Sequence, residues 1–195
     1  GEIPQLKHHN LFFHSSFEQF GNEIYTNPQW PKDPLFYVCC PSKSDPTVAP
    51  EGCENLFVLV PVATGLKDDA EIQENYFQLV LRNLKNISGI DLSDRIIYKK
   101  CFANSDFTNR YNAFKGNAYG LANTLMQTAI LKPSIRNPKI KNLFYTGQLT
   151  VPGPGVPPAI ISGQIVASEI LKENGKNKDY SPKSSALNKK LKAAL

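Results

Sequence analysis

The chain has 195 residues, with 22 Lys and Arg against 17 Asp and Glu, and is 41 % apolar and 20 % charged. That length fits one large domain or two small ones, and a chain of this size buries roughly 70 % of its unfolded surface without disulfide or metal staples. The composition excludes a disordered chain. Four prolines and four glycines interrupt the uncharged run 142–168, which excludes a membrane-spanning helix of about 20 apolar residues there. The net charge of +5 arises entirely from Lys172 onward, so residues 1–171 carry no nucleic-acid footprint and no nucleic-acid partner is expected.

The first strand is expected at 11–14. Phe17, Phe20 and Ile24 then recur at helical spacing behind Ser15-Ser16, where Ser16 with Gln19, or Ser15 with Glu18, fits a capping box. Asn27-Pro28 and Trp30-Pro31 end that helix. Strands are expected at 35–40 and 56–62, the second with both faces buried because its apolar run is continuous. A helix over 68–87 follows, with Ile72, Tyr76, Val80, Leu84 and Ile87 as its stripe and Ser88-Gly89 as its stop. A fourth strand over 95–102 completes a β-α-β-β-α-β order, so the fold class is α+β with a ferredoxin-like arrangement. The fourth strand is expected to pair with the first or third, and the helix stripe to pack on the resulting sheet. Residues 111–131 are mixed and rich in small residues, 133–141 form a basic connector, and 142–147 read as a short strand. A helix is expected over 157–171. The tail has Leu187, Leu191 and Leu195 on one side and reads as a frayed surface helix or a weak membrane-surface helix.

Single residues offer little chemistry. His8 and His9, adjacent on an extended strand, are expected to face opposite ways, and no Cys or carboxylate is spaced to complete a site with them or with His14, so no metal is expected. Cys39, Cys40, Cys53 and Cys101 lack C-x-x-C spacing and read as reduced, structural thiols. Asp106 and Arg110 stand at i, i+4, as a surface pair or an acid–base element. The catalytic residues are not legible.

The informative segment is Asn142-Leu-Phe-Tyr-Thr-Gly147-Gln-Leu-Thr-Val-Pro-Gly153-Pro-Gly155-Val-Pro-Pro-Ala159-Ile-Ile-Ser162-Gly163. A strand ends in Gly147, and a Pro/Gly turn aims a helix whose first positions are prolines. Gly153 and Gly155 permit close approach of backbone to a flat ligand. The amides of Val156, Ala159 and Ile160 are expected at the positive end of the helix dipole. This suits a planar group that acquires negative charge; a plain strand-turn-helix stays equally open.

Together with Gly116-Asn117-Ala118-Tyr119-Gly120-Leu121, Thr124-Leu125-x-Gln127-Thr128-Ala129, Asp45-Pro46, Ala49-Pro50-Glu51-Gly52 and His8-His9, this segment resembles the bacterial phytoene desaturases, in family order from about residue 8 to residue 171. The resemblance implies an FAD-dependent oxidoreductase, flavin amine oxidase-like, that introduces conjugated double bonds into a C40 polyene. It implies a carotenoid or phytoene substrate and a cytoplasmic enzyme peripherally associated with the cytoplasmic membrane. It also implies that Gly147, Gln148, Gly153, Gly155, Val156, Ala159 and Ile160 contact the cofactor and that Phe114, Gly116, Asn117 and Tyr119 line the substrate. Pro158 stands where many relatives have Gly, and Val151 where many have His.

On that map residues 1–110 are a substrate-domain portion, 111–141 a connector, 142–172 the C-terminal strand-turn-helix of an FAD domain, and 173–195 a basic, mobile tail. No G-x-G-x-x-G fingerprint for the FAD pyrophosphate is present, and the chain begins with Gly1 and has one methionine, Met126. These features read as the C-terminal portion of a longer protein, inactive and without bound FAD on its own. Leu143, Tyr145, Ile161, Ile165 and Val166 would then need other cover, and self-association is the expectation. The same motifs serve isomerases, saturases and oxygenases. A rival from another class is a stand-alone, non-enzymatic βαββαβ binding module.

Overall fold

Phe12, Phe36 and Val38 are buried on one side of a small antiparallel sheet. Its strands are β1 (His9–Phe12), β2 (Phe36–Cys39) and β3 (Phe57–Leu59), in the order β1-β2-β3. Phe12 stands opposite Phe36 with ring centroids 4.7 Å apart, and Val38 stands opposite Val58. The computed structural model describes residues 1–122, 124–128, 131–173 and 175. The chain divides into two units, Gly1–Ala118 and Tyr119–Leu195; the expectations for Leu187, Leu191 and Leu195 lie outside the described residues.

Between the first two strands run α1 (Phe17–Gly21) and a π-turn (Asn22–Thr26). Ser16 is the residue that caps α1, its hydroxyl accepting from the Gln19 amide at 3.2 Å. After β3 comes α2 (Ala70–Ser88). Asp69 caps its start by accepting from the Ile72 amide at 2.9 Å, and Gly89, at φ +72°, closes its end with a bond to the Lys85 carbonyl. Val80 and Leu84 join Phe12, Phe36, Val38, Ile3, Leu6, Ile90 and Leu92 in one core, so that part of the stripe packs on the sheet, while Tyr76 rests on Trp30 with ring centroids 4.6 Å apart. Ile87 lies outside that contact and is 45 % exposed.

Several expectations are corrected. Residues 95–102 form no strand. The segment rests on other partners instead: Arg95 donates to the Glu2 carbonyl at 3.1 Å, and Lys99 pairs with Glu74 and covers the Phe77 ring at 4.2 Å. Ile97 and Tyr98 are exposed. Without that strand the β-α-β-β-α-β order is broken and an α+β unit remains. β3 is shorter than the 56–62 run, and Phe57 and Val58 are exposed rather than buried on both faces.

A further helix, α3 (Asn104–Tyr111), stands in a stretch where the sequence predicts no element. The Asp106 carboxylate caps it by accepting from the Ala103 amide at 3.0 Å, and its contact with Arg110 is a long surface pair at 3.9 Å. Asn104 is buried and donates to the Ala63 carbonyl at 3.0 Å, while Ser105 binds the Asp68 carboxylate.

The histidine pair is also corrected. His8 sits at a bend just before β1, so the alternation of an extended strand does not reach it. The His8 and His9 rings stand 4.3 Å apart on the same side.

In the second unit the expected strand 142–147 is reduced to one bridge, Arg136 to Phe144. Tyr145 donates to the Ile135 carbonyl at 2.8 Å and Asn137 to the Leu143 carbonyl at 3.0 Å. A strand extends only as far as a neighbouring ladder supports it, and here the partner is the basic connector alone. α4 (Val156–Glu173) follows. No helix among the described residues is long and apolar enough to cross a membrane.

Glu54 ties the N-terminal segment to the end of the sheet. Its carboxylate accepts from the Ile3 amide at 3.2 Å, from Cys40 at 3.3 Å, and from Ser42 and Lys43. Burial by itself would raise its pKa from 4.5; Lys43, Ser42, the Ile3 amide and Cys40 outweigh that and hold it at about 2. The folded value lies below the unfolded one, so this contribution is complete above the unfolded pKa and is lost as pH falls towards about 2. Glu54→Gln is expected to flatten the stability profile in that window, read by urea denaturation at a series of pH values. A variant as acid-sensitive as the parent would contradict the assignment.

Candidate flavin-edge site

The informative segment folds into a turn held by two buried hydroxyl residues. Ser162, fully buried on α4, donates to the Ala159 carbonyl at 2.6 Å. It accepts from the Gly147 amide at 2.7 Å and meets the Thr146 hydroxyl at 2.7 Å. A serine hydroxyl has one proton and two lone pairs, and here all three are used. Thr150, 2 % exposed, donates both its amide (3.2 Å) and its hydroxyl (3.0 Å) to the Gly147 carbonyl. The amide and the carbonyl of Gly147 are therefore both engaged, and the turn is fixed against α4.

Gly147, Gly153 and Gly155 have φ of +104°, +138° and +109°, values an L side chain avoids. A Cβ on Gly147 would meet nothing within 4 Å, whereas one on Gly153 would stand 3.3 Å from Cε of Lys132. Lys132 is buried, and its ammonium lies 3.4 Å from the Gln127 carbonyl. A cation is thus held beside the glycine turn. The open space at Gly147, the left-handed glycines and the adjacent ammonium fit a flat ligand that gains negative charge.

The helix start is plainer than expected. The Ala159 amide is committed to the Gly155 carbonyl at 3.0 Å, and Ile160 lies a position deeper, where helix geometry aims its amide four residues back. Pro157 and Pro158 have no N–H, so of the first three helical positions only Val156 has an amide to offer. Val156 and Ile160 contribute exposed apolar surface instead. Gln148 is half-buried in the turn.

The substrate candidates divide between the units. Phe114 and Gly116 share one 3-10 turn of the first unit, followed by Asn117, and Tyr119 begins the second. Asn117 donates to the Phe114 carbonyl at 2.6 Å. Gly116 is buried against α3: a Cβ there would stand 2.3 Å from the Asn104 carbonyl oxygen. Phe114 and Tyr119 are exposed apolar surface.

Sequence reasoning missed Lys132 and the hydrogen-bonding roles of Thr150 and Ser162. No spacing rule announces them, because their roles depend on which backbone atoms the turn brings near. Ser162→Ala is expected to leave the Gly147 amide without its acceptor, at a cost of about 1–3 kcal/mol. The check is hydrogen exchange at the Gly147 amide, which should accelerate at least several-fold; unchanged protection would contradict the role.

A profile described as "Flavin containing amine oxidoreductase" matches residues 9–171. The chain is 46 % identical over 173 residues to the carotenoid 3,4-desaturase of Haloarcula japonica, covering 89 % of this chain and 35 % of that protein. It is 31 % identical to the phytoene desaturase of Fusarium fujikuroi (89 % of this chain, 34 % of the relative) and 33 % identical to the 4,4'-diaponeurosporene oxygenase of Staphylococcus haemolyticus (87 % and 34 %). The chain spans about a third of the length of these relatives. With most of its residues matched by that profile, the chain belongs to the flavin containing amine oxidoreductase family.

Proposed function

We propose that the chain forms part of an FAD-dependent carotenoid desaturase acting on a C40 polyene. The observation that carries this reading is the glycine turn from Gly147 to Gly155, fixed by Ser162 and Thr150 with Lys132 beside it. FAD, when bound, supplies the two-electron oxidation of a C–C pair. The residues of this chain do the positioning. Gly147, Gly153 and Gly155 admit the ring edge, Val156 offers an amide, and Lys132 provides positive charge. Phe114 and Tyr119 provide apolar surface for a polyene, while Gly116 shapes the turn that carries Phe114. The names of the relatives include both desaturases and an oxygenase, and product analysis separates these outcomes.

A lipid-soluble substrate supports the reading of a peripheral enzyme at the cytoplasmic surface of the membrane. Leu11, Phe13 and Phe57 are exposed and supply apolar surface for that contact. Leu143, Tyr145 and Ile161 are exposed at 37 %, 41 % and 43 %, which supports self-association of the isolated chain; light scattering that stays monomeric at all concentrations would contradict it.

The test is expression in cells that accumulate phytoene. The chain joined to the rest of its parent protein should yield extracts absorbing at longer wavelength than phytoene, and the 195-residue chain alone should not. The chain alone is also expected to bind FAD more weakly than micromolar. A helix N-terminus contributes about 0.3–2 kcal/mol towards an anion, against about 8 kcal/mol for micromolar affinity. Yellow purified chain would overturn that expectation.

A further inference from the structure

His8, His9 and Cys39 each offer a ligand atom within 4.8 Å of the other two. Two strands and the bend before the first produce this convergence. Cys39 on β2 stands directly opposite His9 on β1, so their side chains share one face. His8, at the bend before β1, is brought to the same side, with its carbonyl accepting from the Cys40 amide at 2.8 Å. That face is turned away from the core: His9 is exposed, and His8 and Cys39 are half-buried.

Each ring is also oriented. Nδ1 of His8 pairs with the Ser44 hydroxyl at 2.7 Å, and Nδ1 of His9 with the Tyr37 hydroxyl at 2.6 Å. Both rings therefore keep Nε2 for a further ligand. A partner on the second ring nitrogen is the usual support of a metal-binding imidazole. Two imidazoles and a thiolate form a donor set suited to a tetrahedral, thiophilic cation. With bonds of about 2.0–2.3 Å, ligand atoms in such a site lie roughly 3.3–3.6 Å apart, so binding draws the three side chains together from the present spacing.

We propose that His8, His9 and Cys39 form a zinc site, with water as the fourth ligand and Tyr37 and Ser44 as positioning residues. The site uses none of the residues of the flavin edge. On binding, the Cys39 thiol gives its proton to solvent and the thiolate sulfur bonds the cation. The site pins the chain before β1 to the end of β2, where a metal adds a cross-link between two strands.

The probe is Co2+, added to the full chain after chelator treatment and with a non-thiol reductant present. One equivalent should give the visible bands of tetrahedral cobalt and a thiolate-to-cobalt charge-transfer band, both displaced by Zn2+. Cys39→Ser should abolish the charge-transfer band. His8→Ala and His9→Ala should each weaken binding at least 10-fold, and Tyr37→Phe by about 10–100-fold, as expected for loss of an orienting partner. Cys101→Ser, which removes an exposed thiol elsewhere, should leave the spectrum unchanged. The four positions substituted at the site, His8, His9, Tyr37 and Cys39, lie outside the buried core, and circular dichroism checks that the variants fold. Absence of tetrahedral bands in the folded parent chain, or a charge-transfer band that survives Cys39→Ser, overturns the site.

Discussion

Gly116→Ala is expected to be among the most damaging single substitutions in the first unit, at about 2–5 kcal/mol. Two costs combine. The residue sits at φ +67°, a left-handed conformation that costs an L-residue about 1–2 kcal/mol. The new methyl would also stand 2.3 Å from the Asn104 carbonyl oxygen and 2.6 Å from its Cα, and overpacking against atoms that cannot swing aside costs about 1–3 kcal/mol. Relief requires α3 to move, which breaks the Asn104 bond to the Ala63 carbonyl. Urea denaturation should show the loss as a lower midpoint. An alanine variant as stable as the parent would mean that the 3-10 turn does not pack on α3 as described. The motif containing Gly116 resembles a substrate-lining element, yet the structure gives this glycine a packing reason of its own.

Leu84→Ala is expected to cost about 2–5 kcal/mol. Leu84 is 1 % exposed and joins α2 to the sheet core together with Val80. Removing its branched end leaves a cavity between elements that cannot fully collapse. Ile87→Ala, one turn along the same helix and 45 % exposed, should cost well under half as much. The pair is a controlled comparison, measured by denaturant titration of both variants. Equal losses would contradict the packing of α2 and would mean that the stripe extends as the spacing alone suggests.

The elements most legible in the sequence are those whose signals are local. α2 carries its own N-cap in Asp69, its own stop in Gly89, and a stripe that matches its buried side at Val80 and Leu84. The turn from Gly147 to α4 was visible because glycine and proline announce backbone geometry directly. What stayed hidden depends on partners distant in sequence. Residues 95–102 look like a strand, but a strand exists only where a neighbour offers a ladder, and Arg95 and Lys99 find Glu2 and Glu74 instead. α3 offers only one apolar pair at helical spacing, Phe107 and Tyr111, too short a stripe to reveal it; it is held by ring contacts of that pair with Phe102, by a cap from Asp106 and by polar bonds from Asn104 and Ser105. The His8–His9 divergence assumed a strand reaching one residue further than β1 does.

The same division runs through the candidate site. The glycines were readable, and so was the place of Ser162 on the helix that follows them. Its role as the hydrogen-bond centre of the turn was not, and neither was the burial of Lys132 beside Gly153. Proline at 157 and 158 also narrows the helix terminus to the Val156 amide.

The central claim, that this chain serves a flavin-dependent oxidation of a polyene, is tested most directly by anaerobic mixing. The parent protein, loaded with FAD, is mixed with phytoene in liposomes while flavin and polyene absorbance are followed together. The account predicts that flavin absorbance bleaches as longer-wavelength polyene absorbance rises, in step. A Lys132→Met variant of the parent, which removes the cation beside Gly153, should bleach more slowly with the same product. Polyene absorbance that changes while the flavin stays oxidised, or a loaded protein that leaves phytoene untouched, would contradict the account.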